Sequence, residues 1–240
     1  MTLNRRDAIR ISGGTIAGLS LGAKLNPEDL AAQSQEWPDE LVEMPLADGF
    51  PVELPLNADG SAPEHPESAA GPISQPLMWR AEGRPAPPGE YDYRNMRVRL
   101  NPRRLARMGG TLRFQDLEQL PRVSHTFLLQ CGAPNPRGVV KWTGVRFADF
   151  LDMIGLIDRA KDNGYARFVA SDGFYTDESI KELRSPQVML AWMMNDEPIP
   201  PAHGAPLRLV VPFRYGNRSV KAIESITLAV PGLPPWSPPA

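Results

Sequence analysis

The sequence predicts an α+β fold of mixed β-sheets with short helices. Three observations carry this. Strand-like runs outnumber helical ones, the two do not alternate regularly, and the helical patterns present are brief. A doubly wound parallel sheet needs regular alternation, so it is disfavoured. At 240 residues the chain can bury one sizeable core with a small appendage. No internal repeat is present.

Taken in order, Met96–Leu100 (MRVRL) alternates as a half-buried strand does. TLRFQDLEQLPRV reads as a short strand, a helical turn and a stop at Pro121. Ser124–Cys131 (SHTFLLQC) is strand-like and mostly buried. VRFADFLDMIGL places Phe147, Phe150, Leu151 and Ile154 at i, i+3, i+4 and i+7, the stripe of an amphipathic helix. Ala166–Asp172 is another strand. Ser179–Glu182 (SIKE) fits a capping box opening a short helix. VMLAWMMNDEPIP reads as a strand, a turn at Asn195-Asp196 and a partner strand. Met189, Met193 and Met194 belong to the core on this reading. APLRLVVPF and VKAIESITLAV supply the last strands.

The two ends differ from this body. Proline numbers 27, about twice the average share, and it concentrates before residue 90 and after residue 230. The opening MTLNRRDAIRISGGTIAGLSLGAKL carries Arg5 and Arg6, then an uncharged Ile11–Ala23 run too short for a typical bilayer-spanning helix. NRRDAIR has the form of a twin-arginine export signal. Gly13, Gly14 and Gly18 follow no strand and lack dinucleotide-loop spacing. The expected organisation is a signal peptide at 1–32, a proline-rich extended arm at 33–75, the main domain at 76–233 and a tail at 234–240. His65, within the arm, is expected to be solvated. A net charge of −2 excludes a global basic field for nucleic acid.

Cys131 is the only cysteine, and it stands where the apolar run FLLQ meets the loop CGAPNPR. A lone thiol is either a small buried hydrophobe or a reactive group. Hydrolytic use needs a base. His125 lies on the same strand about 20 Å away, and nothing local pairs Cys131 with His203. One cysteine and three scattered histidines show no zinc spacing. A thiolate suits a soft, redox-active metal, but one thiolate cannot hold such an ion alone, so the other ligands would come from an anchored cofactor. RYGNRSVK offers an anchor. Gly216-Asn217 can turn with exposed N–H groups, and Arg214, Arg218 and Lys221 surround it. The same turn also reads as an ordinary basic surface loop.

From about Leu112 to Val230 the chain resembles the sulfite oxidase family of molybdopterin enzymes. The landmarks are TLRFQDLEQLPRV, LLQCGAPNPR, WTGVRFADFLDMIGL, FYTDESI, MMNDEPIPPAHGAPLRLVVP and YGNRSVKAIESI, in the family's order. The resemblance implies a sulfite-oxidase-type molybdopterin-binding fold and a molybdenum–molybdopterin cofactor. It implies Cys131 as the metal's thiolate ligand and Tyr175 as the residue that hydrogen-bonds substrate oxygen. His203 and Arg208, in the stretch HG-x-P-x-R, match cofactor-binding positions. Ser219, Val220 and Lys221 match the segment gripping the pterin and its phosphate, and Asp172 with Ser171 falls near a further pterin contact. Trp142 and Gly144 match positions shaping the pocket wall.

The departures also inform. The run after Cys131 is displaced by a residue from the sulfite-oxidising pattern, which leaves Arg137 as the candidate anion-binding residue. The family's pterin-contacting RNH-type segment has no clear counterpart before residue 95, and LMWRAEGRP is the expected substitute. No C-terminal immunoglobulin-like dimerisation domain and no haem-attachment CxxCH are expected. FRYGNRSVK is also similar to the YG-x-K-x-IK pattern of the periplasmic methionine-sulfoxide reductases. The expectation is therefore a periplasmic molybdenum oxidoreductase with no transmembrane span in the mature chain. It would act on a small oxyanion such as sulfite and pass electrons to a separate redox partner, a cytochrome c or a membrane cytochrome b. The alternatives are a sulfoxide reductase subunit and a non-catalytic, cofactor-binding subunit.

Overall fold

The computed structural model describes residues 53–71, 88–130 and 137–231. In chain order the elements are β1 (Val98–Asn101), β2 (Gly110–Leu112), α1 (Phe114–Leu117), β3 (Arg122–Gln130), β4 (Arg137–Arg146), α2 (Phe147–Met153) and α3 (Asp158–Asn163). They continue with β5 (Tyr165–Ala170), β6 (Tyr175–Ser179), α4 (Ile180–Leu183), β7 (Met189–Met194), β8 (Glu197–Pro198), β9 (Arg208–Val210) and β10 (Ile223–Ala229). One sheet runs β2-β1-β10-β5-β6, with β1 and β10 parallel and the other pairs antiparallel. The second runs β3-β4-β7-β8 with β9 also on β7, antiparallel throughout. This is the α+β architecture of mixed sheets and short helices that the sequence predicts.

The main core joins the two sheets. Val98, Leu100, Phe168 and Ile226 of the first sheet share one buried cluster with Val145, Leu190 and Leu209 of the second. Helix α2 seals it. Phe147, Phe150, Leu151 and Ile154 are all fully buried, as the i, i+3, i+4, i+7 stripe requires. Ser179 caps α4 by accepting from the Glu182 N–H. The Asn195-Asp196 turn joins β7 to β8 with both residues at positive φ, which those side chains tolerate.

The second sheet is apolar on its other face too. Leu129, Val140, Trp142, Met189, Ala191, Met194 and Val210 form a separate cluster there. The sequence reading missed β4, whose buried positions mix Val140, Trp142 and Val145 with the polar Thr143 and with Gly144. Two shorter elements were also not legible: α3, and β6, which reads as loop in sequence. Gly144 sits where β4 shifts register against β7. A Cβ there would stand 1.9 Å from the Leu190 carbonyl oxygen. Gly144→Ala is expected to cost about 3 kcal/mol, read as a melting midpoint lowered by roughly 6–12 °C.

Residues 53–71 run along this second sheet. Glu64 bridges to Phe127, Gly71 N–H donates to the Val139 carbonyl, and Gln187 brackets the Ala62 backbone with bonds of 2.9 and 2.8 Å. His65 is half-buried rather than solvated, because its backbone joins that edge through the Thr126 carbonyl. The signal segment, the rest of the arm and the tail lie outside the described residues. No helix among the described residues is long and apolar enough to cross a membrane.

Candidate functional site

Two backbone runs build the site. The stretch from Gly204 to Leu209 lies beside 220–223, through Ala222 N–H to Gly204 O (3.0 Å), Leu209 N–H to Val220 O (2.9 Å) and Ile223 N–H to Leu207 O (2.9 Å). This pairing brings His203, Arg208, Ser219, Val220 and Lys221 together, five of the positions implied by the resemblance. Gly204 makes the approach possible. It sits at φ 104°, and a Cβ on it would stand 2.7 Å from Lys221 Cβ.

Arg208 is 1% exposed. It donates to the His203 carbonyl at 2.7 Å and the Ser219 carbonyl at 3.2 Å, and its guanidinium lies 4.5 Å from the Trp142 ring centre. Burial pushes its pKa down from 12.5 to about 9. The Lys221 ammonium donates to the Ala202 carbonyl at 2.9 Å. Burial first, and the Arg208 charge second, push it down from 10.5 to about 7, with Asp172 pulling the other way. His203 falls from 6.5 to about 4 through burial and the charges of Arg208 and Lys221. Ser219 Oγ accepts the Val211 N–H at 3.0 Å and fixes the turn, while Val220 is buried in the main core.

Three basic groups thus share one desolvated corner, all held below their ordinary pKa values. Two of their nitrogens, His203 Nδ1 and Arg208 Nε, are buried without a hydrogen-bond partner. Such a corner favours a bound anion that brings hydrogen-bond acceptors. The phosphate and polar pterin of a molybdopterin would supply both, so the residues present fit the group.

The loop before β6 borders this corner. Ser171 N–H donates to the Ala222 carbonyl at 3.0 Å, and Asp172 Oδ1 closes the turn by accepting the Phe174 N–H at 2.8 Å. Ser171, Ala205, Pro206 and Ala222 also line a cleft of about 570 Å³, whose far wall carries Arg94, Asn95, Arg97 and Arg113. The sequence reading did not single out those residues. Arg94 and Asn95 sit in a single 3-10 turn, Tyr93–Asn95, which has no periodicity to detect. The expected substitute, LMWRAEGRP, lies outside the described residues.

Tyr175 and Arg137 do not line that cleft. Tyr175 opens β6, is 53% exposed, and lies under the Arg167 guanidinium at 4.6 Å. Arg137 opens β4 opposite Gln130 and is exposed. Cys131 follows Gln130 and lies outside the described residues. Gln130 ends β3, and a Cβ on Gly216 would stand 3.5 Å from the Gln130 carbonyl oxygen. The basic turn therefore packs beside Gln130 at the end of β3, the residue before Cys131 in sequence. Among the described residues no group of three or more His, Cys, Asp or Glu is placed to hold a metal.

One expectation about that turn needs correction. Arg214 is paired with Glu182, and Arg218 with Glu178 and the Asp177 carbonyl. Of the three cations read as a phosphate cradle, only Lys221 joins the buried corner. The acids that claim the other two come from β6 and α4, far earlier in the chain.

The family described as the oxidoreductase molybdopterin binding domain matches residues 88–230. This chain belongs to that family, and its cofactor is a molybdenum–molybdopterin. It is 31% identical over 115 residues to the uncharacterized oxidoreductase YuiH of Bacillus subtilis, covering 48% of this chain and 57% of that one. It is 29% identical over 166 residues to a sulfite oxidase of Arabidopsis thaliana, covering 53% and 39%. It is 27% identical over 173 residues to the putative protein-methionine-sulfoxide reductase subunit YedZ1 of Azospira oryzae, covering 71% and 63%. The chain thus spans between 39% and 63% of these relatives' lengths. The sulfane dehydrogenase SoxCD of Paracoccus pantotrophus shares the fold, at a TM-score of 0.54 and 22% identity over 85% of this chain and 59% of that one.

Proposed function

We propose that this chain is the catalytic domain of an exported molybdopterin oxidoreductase that transfers an oxygen atom at sulfur in the sulfite-oxidase manner. Its substrate is a small sulfur oxyanion or a sulfoxide, and its electrons pass through a separate cytochrome. The supporting observation is the corner of His203, Arg208 and Lys221, with the adjoining turn at Gly216 packed against Gln130, the residue before Cys131 in sequence. When bound, the cofactor supplies the metal centre at which oxygen exchange and a two-electron change are coupled. On this side of the reaction, Arg208, Lys221 and His203 hold its anionic end, and Cys131 would be the protein's ligand to the metal. Tyr175 would orient substrate oxygen and Arg137 would attract an anion. The twin-arginine form of NRRDAIR supports export in the folded, loaded state, and the relation to a sulfoxide reductase subunit is consistent with a periplasmic site.

The test is elemental analysis for molybdenum on protein from a cofactor-making host, followed by dye-linked assays with sulfite and with methionine sulfoxide. One metal per chain with turnover of either substrate is the expected result. A folded, metal-free, inactive protein would overturn the enzyme reading and leave a non-catalytic subunit.

A further inference from the structure

Every charged residue between positions 93 and 115 is an arginine, in a chain whose net charge is −2. Three of them, Arg103, Arg104 and Arg107, lie in the loop that joins β1 to β2. Arg103 and Arg104 form its central turn at φ 44° and 64°, and the Leu105 N–H donates to the Pro102 carbonyl at 2.7 Å. That is the form of a type I′ turn, whose central positions ordinarily take Asn, Asp or Gly because a larger side chain crowds the backbone there. Arginine at both positions is a local choice that works against the fold. No internal partner explains it. Arg104 and Arg107 are exposed, Arg103 is half-buried, and none of the three makes an ion pair among the described residues.

The loop is clamped to the turn between α2 and α3. Leu105 is buried, and Ala106 bridges to Leu156. The Arg107 and Met108 N–H groups donate to the Ile154 carbonyl at 2.9 and 3.0 Å, and the Ile157 N–H donates to the Leu105 carbonyl at 2.9 Å. The aliphatic stem of Arg107 lies across Gly155, where an added Cβ would stand 3.1 Å from it. Two large apolar side chains stay open on the same junction, Met108 at 47% and Ile157 at 36% exposure. The acids beside it are mostly paired, Asp158 with Lys161 at 2.7 Å and Asp152 with Arg184 at 2.9 Å. Exposed Asp162 is offset by exposed Arg159. The loop is thus a pre-set basic surface with apolar side chains among its cations. A protein partner fits it poorly, because protein interfaces deplete charge at their cores and cover a broad area. A bilayer surface takes this pattern, with cations at the level of the phosphates and isolated apolar side chains reaching the acyl boundary.

We propose that the loop 102–109, with Ile157, docks this domain on an anionic phospholipid bilayer. Arg103, Arg104 and Arg107 meet the headgroup phosphates, and Met108 and Ile157 enter the interfacial layer. Arg97, which lines the cleft, precedes β1, and the loop follows it. Four strand residues, about 13 Å, therefore lie between the docking loop and the cleft, which stays open to solvent. Nothing in the proposal depends on the oxygen-transfer reading above.

The experiment uses the full chain and measures binding to vesicles of phosphatidylglycerol with phosphatidylcholine, against phosphatidylcholine alone. It compares wild type, Arg103→Asn/Arg104→Gly and Met108→Asp. Wild type is expected to bind the anionic vesicles only, and less tightly as salt is raised. Each arginine near such a surface is worth about fivefold, so Arg103→Asn/Arg104→Gly should bind about 25-fold more weakly. The same variant should melt higher than wild type, because Asn-Gly suits the turn. Met108→Asp should also bind more weakly, and backbone amides of 102–109 should exchange with solvent more slowly when vesicles are present. Binding that is equal in wild type and both variants, with no protection of 102–109, overturns the proposal and assigns any vesicle affinity to another segment such as the one carrying Arg5 and Arg6. Binding to soluble polyglutamate but not to vesicles overturns it in favour of an acidic protein partner. A lower melting midpoint in Arg103→Asn/Arg104→Gly would show that the fold itself uses these arginines, and it also counts against the proposal.

Discussion

Arg208→Met is expected to fold and to carry almost no pterin. Arg208 is the most deeply buried cation of the corner, and its neighbours Lys221 and His203 add positive character rather than remove it. A buried charged pair broken by removing one partner loses 2–5 kcal/mol, roughly 30- to 5,000-fold in affinity for the anionic cofactor. The fold itself has less to lose. The variant frees the His203 and Ser219 carbonyls of a donor, at about 1 kcal/mol each. It also removes the cost of an uncompensated buried charge, and apolar replacement of buried ions is often neutral. The methionine still covers Trp142. The melting midpoint of cofactor-free protein should therefore move by only a few degrees. Metal per chain, fluorescence of the released pterin and a melting curve check all three statements. A variant that keeps wild-type pterin would show that Arg208 is structural only. Cys131→Ser makes the contrast. It should keep the pterin, since the buried corner is untouched, while losing dye-linked turnover.

How much of this was legible depended on whether the signal was local. Helix α2 was, because Phe147, Phe150, Leu151 and Ile154 lie within two turns of each other. So was the β7–β8 hairpin, whose turn residues adopt positive φ. Strand β4 was not, because its buried run includes the polar Thr143 and Gly144 beside Val140, Trp142 and Val145, so no long apolar alternation marks it. The site divided in the same way. Bare spacing gives no reason to join His203 and Arg208 to Lys221. The resemblance linked them, and the backbone pairing of 204–209 with 220–223 supplies the physical cause. The basic turn misled for the opposite reason. Arg214 and Arg218 are conspicuous locally, but the carboxylates that occupy them sit on β6 and α4, and no local pattern connects the two. Positive charge is easy to see in a sequence; its compensation is a tertiary property.

Cofactor-free protein is expected to become more stable as pH rises from about 7 toward 9, with Lys221 as the principal source. Its folded pKa is about 7 against an ordinary 10.5. Between those values the unfolded chain holds a proton that the folded chain has released, so stability rises with pH across that window. Below pH 7 the lysine is protonated in both states and its full penalty is present. His203 has the same sign in a lower window, from about 4 to 6.5. Arg208, at about 9, extends the trend upward. The slope from one such group cannot exceed about 1.4 kcal/mol per pH unit. Lys221 is only half-buried by surface area, so solvent screening reduces its total to about 2 kcal/mol. Urea midpoints at pH 7, 8 and 9 measure this, and Lys221→Met should flatten the rise. An identical slope in the variant would mean that Lys221 is not held in a desolvated site. Adding inorganic phosphate should flatten the wild-type slope as well, because a bound anion favours the protonated lysine and restores its pKa upward. The depressed pKa values and the capacity to bind the cofactor's anionic end are then one property, since both follow from gathering three bases in a corner that water cannot adequately solvate.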